Sequence, residues 1–168
     1  MNISMYQASV PVFIRVLDNL AAILEKTAAH AEARKIDPAV LLASRLYPDM
    51  FPLVKQVQIA SDAAKGGAAR LAQMEPPAYE DNEATLADLV ARLRKTVAYL
   101  RTIGAEQIDG SEDRTVTWKT RTATKTMQGM PYLLNHVLPN LYFHVTTAYA
   151  ILRHNGVEIG KGDFLGRA

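Results

Sequence analysis

The sequence predicts an all-α protein, a four-helix bundle with a small β-hairpin before the last helix. Apolar residues recur at helical spacing in four long segments, and the breaks between these segments are short and rich in proline, glycine or aspartate. Only one stretch alternates in the two-residue rhythm of a strand. At 168 residues the chain, 1–168, has the length of one domain. A domain of that size buries about 70% of its unfolded surface, enough for a core without covalent staples.

The first helix is expected to open at Ser4 with Gln7 in a capping box and to run through Phe13, Val16, Leu17, Leu20 and Leu24 to Ala31. Pro11 would then kink it, since proline lacks an N–H and its ring meets the preceding turn. Asp37-Pro38 opens a short helix through Leu42 that stops before Pro48, and Asp49 is expected to cap the next. That second long helix carries Leu53, Val57, Ala60, Ala64, Ala68 and Leu71 on one stripe. Its adjacent Gly66 and Gly67 cost about 1–2 kcal/mol of helix preference and invite a neighbouring helix to approach closely.

Glu75-Pro76-Pro77 breaks the chain, and an acidic loop follows. Thr85 and Asp88 start a third helix along Leu86, Leu89, Val90, Leu93, Val97, Leu100 and Ile103, which ends at Gly104. Thr115 to Trp118 and Ala123 to Met127 read as the hairpin. Gly129-Met130-Pro131 leads into the last helix, with Leu134, Val137, Leu138, Leu141, Val145, Ala148 and Leu152 apolar and Gly156 at its end. Pro139 inside it implies a bend or a short preceding turn. The tail from Lys161 to Gly166 is too glycine-rich for a helix, with Phe164 and Leu165 expected to anchor it.

Composition removes several functions. There is no cysteine, so disulfides, thiolate metal sites and a cysteine nucleophile are excluded. Nineteen Lys and Arg against 17 Asp and Glu leave a net charge of +2, too balanced for strong attraction to nucleic acid. Arg114, Lys119, Arg121 and Lys125 are read as the solvated face of the hairpin. Charges interrupt every apolar run before the roughly 20 residues a membrane span needs, and the opening residues lack the pattern of a secretion signal, so a cytoplasmic protein is expected. No phosphate loop, nucleophile elbow, His-Glu-x-x-His or dinucleotide fingerprint is present.

One polar row stands out. His136, Asn140 and His144 are spaced i, i+4, i+8 and, with Thr147, lie about 100° round the last helix from its apolar stripe. Such a row can hydrogen-bond between helices, converge on a divalent metal, or use His144 for proton transfer. Hydrogen bonding is the preferred reading, because asparagine is a poor ligand for zinc or nickel. His154 and His30 sit near helix C-termini, where an imidazole interacts well with the dipole. Trp118, the single tryptophan, either covers an end of the bundle or lines a pocket mouth, and covering is the preferred reading. Tyr132, Tyr142, Phe143 and Tyr149 are read as packing or interface residues.

The run from Leu138 to Val157, continuing to Gly160-Lys161 and Asp163-Phe164-Leu165-Gly166, resembles the C-terminal signature of an uncharacterised bacterial family. That family is similar to the DinB/YfiT-like metalloenzymes. Ser4-Met5-Tyr6-Gln7, Asp49-Met50-Phe51-Pro52 and Gln56-Val57-Gln58 extend the resemblance over essentially the whole chain. It implies a frequently dimeric four-helix bundle with three histidines on nickel or zinc, in some members serving thiol-dependent transfer or isomerisation. Registered on Leu152-Arg153-His154-Asn155-Gly156, His144 matches the second ligand and Asn140 stands at the first. The second long helix offers Gln56, Gln58, Ser61 and Asp62 for the third, but no histidine. The implied triad is therefore broken.

These readings lead to a homodimeric bundle that binds a small molecule in a pocket bordered by Gln56, His136, Asn140, His144 and Thr147, with a degenerate metal position at His144 and Asn140. No cofactor is expected from the residues first of all; a divalent metal is the alternative that the polar row leaves open, and nickel or zinc is what the resemblance implies. The alternative is a divalent-metal-dependent enzyme with a variant centre around His144, acting on a thiol-linked substrate. Neither nucleic acid nor a membrane is an expected partner.

Overall fold

The computed structural model describes residues 3–120 and 122–166. Four long helices form the body: α1 (Val10–Arg34), α3 (Leu53–Leu71), α4 (Leu86–Leu100) and α7 (Leu138–His154). Shorter elements connect them, namely α2 (Pro38–Ala43), α5 (Ala105–Ile108), the antiparallel strands β1 (Thr115–Lys119) and β2 (Thr124–Gln128), α6 (Gly129–Tyr132) and α8 (Lys161–Leu165). α1 packs chiefly on α4, and α3 chiefly on α7, with α3 also against α4. The hairpin precedes the last helix and pairs Thr115 with Gln128 through Lys119 with Thr124.

One apolar cluster joins the inward stripes of all four long helices. Phe13, Leu17, Leu20 and Leu24 of α1 meet Leu53, Val57, Ala60, Ala64 and Ala68 of α3, Leu89 and Leu93 of α4, and Leu141, Val145 and Ala148 of α7. The expected Thr85 start is a full capping box: the Thr85 hydroxyl accepts from Asp88 N at 3.1 Å and the Asp88 carboxylate accepts from Thr85 N at 2.9 Å. Asp37 likewise caps α2 by accepting from Ala39 N at 2.9 Å. Val137 packs where Gly67 has no side chain; a Cβ there would lie 2.5 Å from Val137 Cγ1, so the glycine permits the close approach.

Several expected boundaries are corrected. Ser4 and Gln7 do exchange hydrogen bonds, but they close a turn, and α1 begins after Ser9 with Pro11 in its first turn. There Pro11 needs no N–H partner and causes no kink. Asp49 caps nothing; α3 starts after Pro52, because a residue before proline is driven out of the helical region and Phe51 occupies that position. The tail from Lys161 to Leu165 is a helical turn, α8, held by Asp163 accepting from Gly160 N at 2.8 Å. Phe164 meets Tyr149 edge-on at 5.9 Å, whereas Leu165 is 49% exposed and does not anchor.

The last helix departs most from expectation. A five-residue π segment, Leu133–Val137, precedes α7, and Leu138 N–H bonds back to Leu133 O. Pro139 follows at once, unable to donate to the preceding turn, so the ladder widens immediately before it. The wider turn moves the inward position from Leu134, which is 48% exposed, to the fully buried Leu133. The basic group beside the hairpin is also revised. Lys119 and Lys125 are exposed, but Arg114 is half-buried and donates to the carbonyls of Leu71 and Gln107, while Arg121 lies outside the described residues.

Candidate functional site

The π segment and α7 carry the polar row, and the row divides into two places. His144, 8% exposed, has Nδ1 at 2.7 Å from Gln56 Oε1. The Gln56 amide is oriented by its other end, because Nε2 donates to Phe51 O at 3.0 Å. Its oxygen must then accept from His144, which puts the imidazole proton on Nδ1 and a lone pair on Nε2. Nε2 bonds to no described residue. Burial holds the His144 pKa below its ordinary value, so the ring is neutral at pH 7. Phe143 covers the ring edge-on at 5.2 Å between centroids.

His136, in the π segment, faces the hairpin instead. Its ring lies 4.7 Å from Trp118 and 5.6 Å from Tyr132, and Trp118 is buried against Tyr132 at 4.9 Å. Burial, then the charges of Lys125 and Arg70, lower the His136 pKa. Trp118 is thus largely buried, walls in a histidine and also lines a groove beside the hairpin. His136 and Asn140 line a cleft of about 160 Å3 together with Asp62, Arg70, Tyr132 and Val137. Arg70 Nη1 donates to Tyr132 Oη at 3.2 Å, closing the hairpin side of this cleft.

The five expected pocket residues therefore do not border one cavity. His136 and Asn140 share the cleft, Gln56 and His144 pair with each other outside its lining, and Thr147 turns back to donate to Phe143 O at 2.7 Å within its own helix. Asp62 and Arg70 are the cleft residues that spacing along the last helix could not reveal, since both come from α3. The absence of a histidine from the second long helix was legible, with Asp62 among four polar residues there; the role of Asp62 as a cleft wall was not.

The donors do not fit the metal that the fold implies. At His144 one imidazole nitrogen is free, the neighbouring amide oxygen is already engaged, and Asn140 belongs to the other place. Among the described residues no group of three or more histidines and carboxylates could hold an ion.

An α1–α4 and α3–α7 bundle with a hairpin ahead of its last helix, and a histidine of that helix facing the second long one, defines a DinB-like helical-bundle protein. More closely, residues 5–165 match the family described as Domain of unknown function (DUF1993), and the chain belongs to that family. It is also similar to a crystal structure of a DinB family member protein from Shewanella denitrificans. The two share 43% identity and a TM-score of 0.88 over 97% of this chain and 92% of that one. No curated protein matches significantly.

Proposed function

We propose that this chain is a binding protein that holds a small polar molecule in the cleft between α3 and the π segment with α7, beside a degenerate metal position at His144. The carrying observation is the cleft itself, where a carboxylate, a guanidinium, a neutral imidazole, an amide and a phenol converge. At about 160 Å3 it falls below the roughly 300 Å3 of sites for drug-sized ligands, so its occupant has few heavy atoms. The π segment at its wall is a second support, since such segments gather at functional sites. Native mass spectrometry of untagged protein tests the reading. A small molecule retained at one per chain, and lost in Asn140→Leu, is expected; no bound species, with no thermal shift from any polar fragment, would falsify it.

The alternative, a divalent-metal-dependent enzyme acting on a thiol-linked substrate, draws support from the open Nε2 of His144. Elemental analysis of protein purified without chelator separates the two readings. About one equivalent of nickel or zinc that disappears in His144→Ala favours the enzyme, and metal far below that favours the binding protein. We carry the homodimer forward with the first reading. An apolar groove between α1 and α4, lined by Leu24, Ala28, Leu86, Ala87 and Val90, supports a helix-face contact, which light scattering after size-exclusion chromatography tests. No helix of the described residues is long and apolar enough to cross a membrane.

A further inference from the structure

The two adjacent glycines of α3 do different things. Gly67 admits Val137, but the space beside Gly66 is filled by Arg70, one turn further on, and a Cβ at Gly66 would collide with the Arg70 guanidinium. A glycine inside a helix costs about 1 kcal/mol relative to alanine. Here it leaves a seat in which a guanidinium folds back over its own helix. Tyr132 steadies Nη1 in that seat by accepting at 3.2 Å.

No carboxylate among the described residues pairs with this guanidinium. Asp62 shares the cleft with Arg70, but its Oδ1 is engaged by Lys65 Nζ at 2.9 Å and by Arg92 Nη2 at 3.0 Å. On its other side Arg70 lines a groove of about 590 Å3 between the end of α3 and the hairpin. Thr115, Thr117, Trp118, Lys119 and Thr124 line that groove, and Glu75 is its one carboxylate among the described residues. The hydroxyls of Thr115 and Thr124 bond to no described residue, so both can donate to a ligand.

We propose that this groove binds the oxyanion group, carboxylate or phosphate, of a small organic anion, with Arg70 as the principal donor. A guanidinium presents paired N–H groups in a planar fork that matches either oxyanion, and with Nη1 committed to Tyr132 the Nη2 and Nε groups remain for the ligand. Lys119 and the two threonines complete the rim. The site goes beyond the cleft described above, because cleft and groove share only Arg70 in their linings.

Calorimetric titration of the full chain at low ionic strength with phenyl phosphate, benzoate, inorganic phosphate and uncharged benzamide tests this proposal. Saturable binding of at least one anion, and none of benzamide, is expected. Tighter binding of phenyl phosphate than of benzoate assigns a phosphate ligand, and the reverse a carboxylate. Affinity should fall tenfold or more in Arg70→Met, the loss expected for a charge-assisted hydrogen bond, and comparably in Gly66→Ala, which keeps the arginine but removes its seat. Arg70→Lys, which keeps the charge without the fork, should lose less and serves if Arg70→Met does not fold. Absence of anion binding by the wild type, or binding unchanged by Arg70→Met or by Arg70→Lys, overturns the proposal; binding kept in Gly66→Ala overturns the role of that glycine. Because Arg70 also lines the cleft, Asn140→Leu is the control: anion binding that survives it belongs to the groove, and anion binding lost in it belongs to the cleft and overturns the proposal.

Discussion

Arg92 of α4 and Arg70 of α3 are treated in opposite ways. The Arg92 side chain is 2% exposed and is met by three carboxylates, Asp62 at 3.0 Å, Asp81 at 3.1 Å and Glu83 at 2.9 Å. Gln58 donates to Glu83 as well, at 2.8 Å, and Tyr79 lies under Lys65 at 3.7 Å, so the segment 72–85 is strapped across α3 and α4. Arg70 is half-buried over Gly66 with a phenol for a partner and no carboxylate. A buried cation whose charge is answered within the chain is part of the framework. One that is held in place but left unanswered is available to something else.

The sharpest way to break this contrast is Arg92→Met. Removing one partner strands Glu83, whose side chain is only 9% exposed, and should cost about 3 kcal/mol or more in urea denaturation while opening 72–85 to protease. A loss below about 1 kcal/mol would show that the strap does not depend on Arg92. Next in size is Gly67→Ala. Its Cβ meets Val137, and overpacking of about 1–3 kcal/mol outweighs the roughly 1 kcal/mol gain in helix preference.

Acid should dissolve the same strap. Burial alone would raise the carboxyl pKa values of Asp81 and Glu83, but for Asp81 the hydrogen bond and charge of Lys55, and for Glu83 the hydrogen bonds from Arg92 and Gln58, hold them below the ordinary range. Folded-state values below the unfolded ones mean that this stabilisation is complete above about pH 4 to 5 and is lost as pH falls through the folded values. Stability measured against pH should therefore drop on the acid side in the wild type, and by less in Arg92→Met. Equal acid slopes would contradict the account.

On the Arg70 side the effects on folding should be small. By thermal denaturation Arg70→Met should cost about 1 kcal/mol, one hydrogen bond to Tyr132 being lost and no charge pair broken, and Gly66→Ala should gain up to about 1 kcal/mol in helix preference because only a flexible side chain has to move. A large loss in Arg70→Met would make that residue a second framework arginine. Smallest of all is the protonation of His144, buried with no carboxylate among its hydrogen-bond partners. Its C2 proton in an NMR titration should move with a midpoint below the ordinary 6.5, and a midpoint at or above that value would contradict the buried, neutral ring.

Most of the helices were legible because periodicity and capping are local. Leu89, Leu93 and Leu100 fall on one stripe and Thr85 sees Asp88 three residues away, so α4 needed no tertiary information. The hairpin was legible from its alternation, with β2 displaced by one residue to Thr124–Gln128. The site was legible only in part. His136, Asn140 and His144 could be picked out by spacing, but the ideal helix that makes them one row is interrupted by the π segment before Pro139. That interruption also exchanged Leu134 for Leu133 at the core.

The sequence by itself determined that four amphipathic helices and a hairpin would form and that the second long helix carries no histidine, because helix period, caps and residue identity all lie in the chain's own order. Only the tertiary structure decided that Gln56 sets the tautomer of His144, that Asp62 answers Arg92 and not Arg70, and that Gly66 seats a guanidinium beside the hairpin. His144 and Gln56 are 88 positions apart, and Asp62 and Arg92 are 30. Such partners are chosen by how helices lie against one another, and no local pattern in either segment carries that information.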